Sequence, residues 1–203
     1  MPKINASTVA EHRAQQREAL IGAAIGILVD EGAAAVTPAA VGARAGLARS
    51  SVYQYFDSSA ALLATITEEA FRRSNEALTR AMATANGPLE RVEAFFAESL
   101  RLGAEGAHRP AVALMNAGLP PACQQRLMEL HLEQVEPFRA AVRELGAPEP
   151  ALTADLIAGM LHTALAAVEN GTPLDTVTHR TLALVRRCLS TADNTARATE
   201  EGA

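Results

Sequence analysis

Apolar positions recur at helical spacing almost from the start of the chain. Leu20, Ala24, Ile27 and Leu28 fall at i, i+4, i+7 and i+8, one stripe of a helix. Thr8 and Glu11 stand ahead of it as a capping box, and Gly32 suits the left-handed position past a helix end. The spacing predicts a first helix over about residues 9–31. Thr37-Pro38 opens a second, with Thr as N-cap and Pro at the first helical position, and Gly46 stops it after about two turns. A third is predicted from Arg49 to near Phe56. Asp57-Ser58-Ser59 then offers caps for a long fourth helix over about residues 60–85.

Asn86-Gly87-Pro88 breaks the pattern. Val92, Phe95, Phe96, Ser99 and Leu100 set the apolar face of a helix ending near Ala107. His108-Arg109-Pro110 opens a short helix through Asn116, and Gly118-Leu119-Pro120-Pro121 ends it. The next helix covers about 121–145, with a kink expected at Pro137. Two more follow, about 151–170 and 174–191, divided by Asn170-Gly171-Thr172-Pro173. No strand-like alternation and no fixed-period repeat occurs. The fold class is therefore all-α, with about nine helices. The expected division is 1–57, 58–192 and a polar, flexible tail over 193–203.

Composition agrees, being rich in Ala, Leu, Arg and Glu. The net charge of −5 argues at first against a nucleic-acid partner. Partitioned, it does not. Residues 1–67 hold five basic and five acidic groups, and Thr37 to Phe56 holds two Arg and no acid. The acidic excess lies in the rest of the chain. Cys123 and Cys188 form no metal-type or framework spacing, which fits a reducing, cytoplasmic setting. The longest apolar stretch, Leu156–Val168, is interrupted by His162 and Thr163 and is too short to span a bilayer, so no membrane partner is expected.

The chemistry concentrates in Thr37–Leu63. Two short helices meet at Ala45-Gly46-Leu47, the sequence form of a helix-turn-helix, whose second helix can enter the major groove of DNA. Arg49 stands at that helix's N-terminus, where a guanidinium can bond guanine O6 and N7 together. Ser50, Ser51 and Gln54 can bond bases or phosphates, and the Tyr53 and Tyr55 hydroxyls can reach phosphates. Val52 and Phe56 point into a small core. Arg13 and Arg17 read as a solvated face.

Thr37, Val41-Gly42, Ala45-Gly46-Leu47-Ala48, Tyr53-Gln54-Tyr55-Phe56, Ser58-Ser59-Ala60 and Leu62-Leu63 together resemble the N-terminal domain of the TetR family of transcriptional regulators, over about residues 10–67. The resemblance implies a DNA-binding set of Thr37, Arg44, Arg49, Ser50, Ser51, Tyr53, Gln54, Tyr55 and Ser59. It also implies a C-terminal domain that dimerises and binds a small molecule. Two departures stand out. Ala48 replaces the usual capping Ser, removing a cap worth ~1 kcal/mol. Ser59 replaces the usual Lys, removing a counterion-releasing charge.

The expected function is a repressor that leaves a palindromic operator when an apolar or amphipathic effector binds. The alternative is a constitutive DNA-binding protein with no effector. Candidate effector contacts are Phe71, Phe95, Phe96, Met115, His131, Phe138, Met160 and His162. Candidate homodimer contacts are Leu156, Met160, Ala164, Val177, Leu184, Val185 and Leu189 on the last two helices. Enzyme motifs are absent, as are metal-ligand spacings, and no cofactor is implied.

Overall fold

The computed structural model describes residues 6–200, with side-chain burial for residues 9–190. All regular elements among these are helical: α1 Ala6–Glu31, a 3-10 turn Ala33–Ala35, α2 Pro38–Ala45, α3 Arg49–Val52, α4 Ser59–Ala83, α5 Pro88–Ala104, α6 Arg109–Met115, α7 Pro121–Glu144, α8 Pro150–Glu169 and α9 Leu174–Glu200.

The helices separate into two compact units, residues 1–70 with 109–129 and residues 71–108 with 130–203. This differs from the expected boundary at residue 57. The first half of α4 adds Leu62, Leu63 and Ile66 to the core of the first unit, and α6 packs on α1 with Leu114 fully buried. The separation of 109–129 from its sequence neighbours is a long-range packing effect that periodicity does not carry.

Local chemistry accounts for most boundaries. The Thr37 hydroxyl accepts from the Ala40 amide at 3.2 Å and caps α2, whose first residue is Pro38. Ser58 caps α4 the same way, its hydroxyl accepting from the Ala61 amide at 3.1 Å. The first helix begins upstream of the expected capping box at Thr8, at Ala6. α9 runs to Glu200, into the segment expected as a tail; residues 201–203 lie outside the described residues. α7 continues through Pro137, the position of the expected kink. Pro137 is exposed, so the carbonyl left without an amide partner one turn earlier can turn to water.

The first unit buries Leu20, Ile21, Ala24, Ile27 and Leu28 of α1 against α2, with Val36, Val41, Val52 and Phe56. Between α2 and α3 the backbone turns at Gly46, whose φ of 71° is the left-handed region that suits glycine. Gly42 supplies the close approach. A Cβ there would lie 2.9 Å from the Leu47 carbonyl oxygen and 3.0 Å from Val52 Cγ2.

In the second unit α5 packs against both α8 and α9. Three aromatics lock its core. Phe95 and Phe138 stack with centroids 5.3 Å apart, and Phe96 lies 5.8 Å from Phe138. Val92, Val142, Ile157, Val185 and Leu189 surround them. Ion pairs lie on the rim: Arg186 holds Glu93 at 2.5 Å, Arg139 holds Asp155 at 2.6 Å, and Arg91 pairs with Glu144.

One helix departs from the sequence expectation in character. α8 has 20 residues and a mean hydropathy of 1.6 over its most apolar window, which is long and apolar enough to cross a bilayer. The stretch Leu156–Val168 understated it, because His162 and Thr163 barely lower the mean and the helix extends to Pro150 and Glu169. Only 17% of that window is buried.

Two substitutions test this packing. Phe138→Ala should lower the unfolding free energy by about 3–5 kcal/mol in urea titration, the cost of emptying an aromatic site that cannot collapse; a loss below ~1 kcal/mol would mean the three rings are not a closed core. Gly42→Ala should cost about 1–3 kcal/mol with helical content retained by circular dichroism, because the neighbour in the way is backbone.

Candidate nucleic-acid interface

The interface is built on a very short helix. α3 spans four residues, and its N-cap residue Ala48 has extended backbone and makes no side-chain capping bond. Turn hydrogen bonds carry the segment on. Gln54 N donates to Ser51 O at 3.1 Å, and the amides of Tyr55 and Phe56 both donate to Val52 O at 3.0 Å. Val52, fully buried, and Phe56, 3% exposed, anchor this segment from below. Arg49, Ser50, Tyr53 and Gln54 are exposed on the other side, and Ser51 is half-buried.

Arg49 and Tyr53 form a unit one helical turn apart. The Arg49 guanidinium donates to the Tyr53 hydroxyl at 3.1 Å and lies over its ring, 5.6 Å from the centroid. The hydrogen bond raises the Arg49 pKa above its ordinary value, so the charge is permanent. A guanidinium so oriented retains N–H groups for a base edge.

The remaining expected contacts divide. Thr37 is exposed and spends its hydroxyl on the α2 cap. Arg44 is drawn back onto α1, pairing with Asp30 at 2.8 Å and lying 3.8 Å from Glu31. Gly26 leaves room for it, since a Cβ there would stand 3.0 Å from the Arg44 guanidinium. Ser59 is the first residue of α4 and is half-buried. Tyr55 turns inward. Its hydroxyl donates to Gln16 Oε1 at 2.6 Å, and Arg13 lies over its ring at 5.7 Å. Arg17 lies 6.0 Å over the Phe56 ring. Sequence reasoning missed Gln16; Arg13 and Arg17 are exposed, as expected of a solvated face, and also lie over the Tyr55 and Phe56 rings. The i, i+3, i+4 spacing of Arg13, Gln16 and Arg17 on one face of α1 was the available signal.

The expected effector contacts take several settings. Phe95, Phe96 and Phe138 pack on one another in the core, Phe71 is 2% exposed, and Met115 is 52% exposed on α6 in the first unit. Apolar side chains of that size do better against each other than against an opening. His131 is half-buried on α7, and burial, with His162 and Arg139 nearby, lowers its pKa below the ordinary 6.5, leaving the ring neutral at pH 7. His162 is exposed, its Nδ1 3.0 Å from the Ala158 carbonyl oxygen. Gln134 donates to Asn75 at 2.8 Å, a part-buried polar pair beside these residues in sequence.

A concavity of the second unit lies between α8 and α9. It is a groove of about 560 Å³ whose lining includes Leu156, Met160, Ala164, Val177 and Leu184. Leu156 is 66% exposed and Leu184 53%. Val185 and Leu189, expected on the same face, are corrected. They point the other way, into the core beside α5, because they lie one and five positions past Leu184 on α9. Among the described residues no three His, Cys, Asp or Glu side chains group closely enough to hold a metal ion.

Residues 20–66 match the model of the bacterial regulatory proteins of the tetR family. That match begins in α1 and ends in α4, spanning the helix-turn-helix. No curated protein matches the chain. Solved structures share its fold at low identity. A TetR-family transcriptional regulator from Streptomyces coelicolor is 17% identical, with 94% of this chain and 97% of that one covered and a TM-score of 0.75. A TetR-like transcriptional regulator from Rhodococcus sp. RHA1 is 18% identical, with 86% and 96% covered and a TM-score of 0.73. AibR, in complex with isovaleryl coenzyme A and operator DNA, is 14% identical, with 84% and 97% covered and a TM-score of 0.71. Residues 20–66 thus carry a helix-turn-helix of the tetR type of bacterial regulatory proteins, and the chain as a whole shares the all-helical fold of these regulators.

Proposed function

We propose that the chain is a homodimeric repressor that reads a palindromic operator and leaves it when a small amphipathic molecule binds its second unit. The exposed Arg49–Tyr53 pair on the helix-turn-helix carries the DNA-binding part of this reading. A charged fork presented at the start of a recognition helix suits guanine, while Ser50 and Gln54 beside it suit a second base or a phosphate. The short α3 leaves little else to read with.

The α8–α9 face supports a homodimer. Leu156 and Leu184 stand open beside Gly159, and Ala164, which permits close helix approach, lines the same groove. A second copy related by a two-fold axis would cover this face with its own equivalent and form a four-helix contact. An exposed apolar face of this kind on a helix 17% buried calls for such a cover.

Support for an effector is of a different kind. Neutral, half-buried His131 and the part-buried Gln134–Asn75 pair are polar groups of the second unit that could orient the polar end of an amphipathic ligand. AibR, of the same fold, is complexed with both an acyl coenzyme A and operator DNA. An effector acts by preferring the dimer whose recognition segments are wrongly spaced, and only by the difference in its affinity for the two forms.

Two experiments test these readings against duplexes selected by the chain from a randomised pool. Arg49→Ala should flatten the preference at one base pair per half-site by ~1–3 kcal/mol, and Tyr53→Phe should weaken binding several-fold while the stacked ring keeps the preference. Unchanged selectivity in Arg49→Ala would remove Arg49 from base reading. The pair Leu156→Glu and Leu184→Glu should give a monomer in analytical ultracentrifugation and weaken operator binding by at least ~100-fold, the loss of two-site attachment.

A further inference from the structure

Tyr55 stands in the motif position that suggests a phosphate contact, yet its hydroxyl is spent inside the protein. It donates to Gln16 Oε1 at 2.6 Å, across 39 residues of chain and in a part-buried setting. The same face of α1 supplies Arg13 over the Tyr55 ring and Arg17 over the Phe56 ring. These are the residues on which the reading segment ends. That segment has little order of its own: α3 is four residues long, starts at an uncapped Ala48, and continues only through turn hydrogen bonds. An isolated helix of this length does not form in water.

We infer that Gln16 is a positioning residue, a latch on α1 that holds the recognition segment in its reading geometry through the Tyr55 hydroxyl. Tyr55 is then the inward half of the tyrosine pair, and Tyr53 with Arg49 the outward half. The inference rests on the DNA-binding reading for its consequence, but the latch belongs to the free protein and can be observed there. Because the bond is partly shielded from water, it retains more of its strength than an exposed one would. If the latch opens, the binding-competent fraction falls and the apparent Kd rises by the same factor.

The test uses the full chain. Gln16→Met keeps the length of the side chain and loses the acceptor; Gln16→Glu keeps an oxygen acceptor; Tyr55→Phe removes the donor. In the DNA-free protein, amide exchange at Val52, Tyr55 and Phe56 should quicken about fivefold in Gln16→Met and Tyr55→Phe and stay near wild type in Gln16→Glu, fivefold being the factor for one net hydrogen bond. A role of Gln16 in α1 packing alone would not separate Met from Glu. On selected duplexes, Tyr55→Phe should weaken binding in the wild-type background and add nothing in the Gln16→Met background. Unchanged exchange in both latch variants overturns the inference. So does an equal loss of affinity from Tyr55→Phe in both backgrounds, which would make the hydroxyl a DNA contact. A wild-type chain that selects no duplex, yet shows the exchange pattern, retains the latch and removes the DNA-binding reading instead.

Discussion

The Leu47 carbonyl oxygen lies 2.9 Å from where a β-carbon on residue 42 would sit, and Val52 Cγ2 lies 3.0 Å from it. That contact lets α2 and α3 close on each other. The Leu47 amide completes it by donating to the Gly42 carbonyl at 2.8 Å. Val52 can then reach full burial, and its burial faces Arg49, Ser50, Tyr53 and Gln54 outward. The direction of the reading surface follows from a missing methyl group on the helix behind it. Interiors are packed too closely for such a contact to be adjusted without moving one helix.

Weak local order and strong tertiary support recur across the first unit. α3 lacks a capping side chain, so its position derives from Val52 and Phe56 below and from α1 beside it. Arg44 is likewise held by Asp30 and Glu31 at the C-terminal end of α1, where the pairing directs the exposed guanidinium towards α1. Both arrangements make α1 a template against which the helix-turn-helix is set. In the second unit the same logic runs through side-chain volume: three phenylalanines fill the space between α5 and α7, and the groove that stays open lies where small residues line α8 and α9.

Most of the fold was legible because its signals are local. Thr37-Pro38, Gly46, Ser58 and Gly87-Pro88 each act within a few residues, and the helices begin or end beside them. The apolar stripe of α1 was read correctly for the same reason. The segment 109–129 was not, since its placement on α1 is decided by Leu114 and by partners far away in sequence. The reading residues show the same divide. Arg49 and Tyr53 are one turn apart, and their proximity follows from helical spacing. Gln16 and Tyr55 are 39 positions apart, and the spacing that puts Gln16 on one face of α1 with Arg13 and Arg17 does not name Tyr55 as its partner. The phenylalanines were visible as apolar but not as mutual partners, because a ring's spacing does not tell a cavity wall from a core.

The apolarity of α8 bears on how this protein behaves outside the cell. A helix that meets the length and hydropathy of a membrane span, with Leu152, Leu156 and their neighbours open to solvent, is also a good ligand for a detergent micelle. Detergent present at any stage of purification competes for that face. Sizing in detergent would then report a micelle-coated single chain, and dilution would be the only gentle way to see the chain's own association constant.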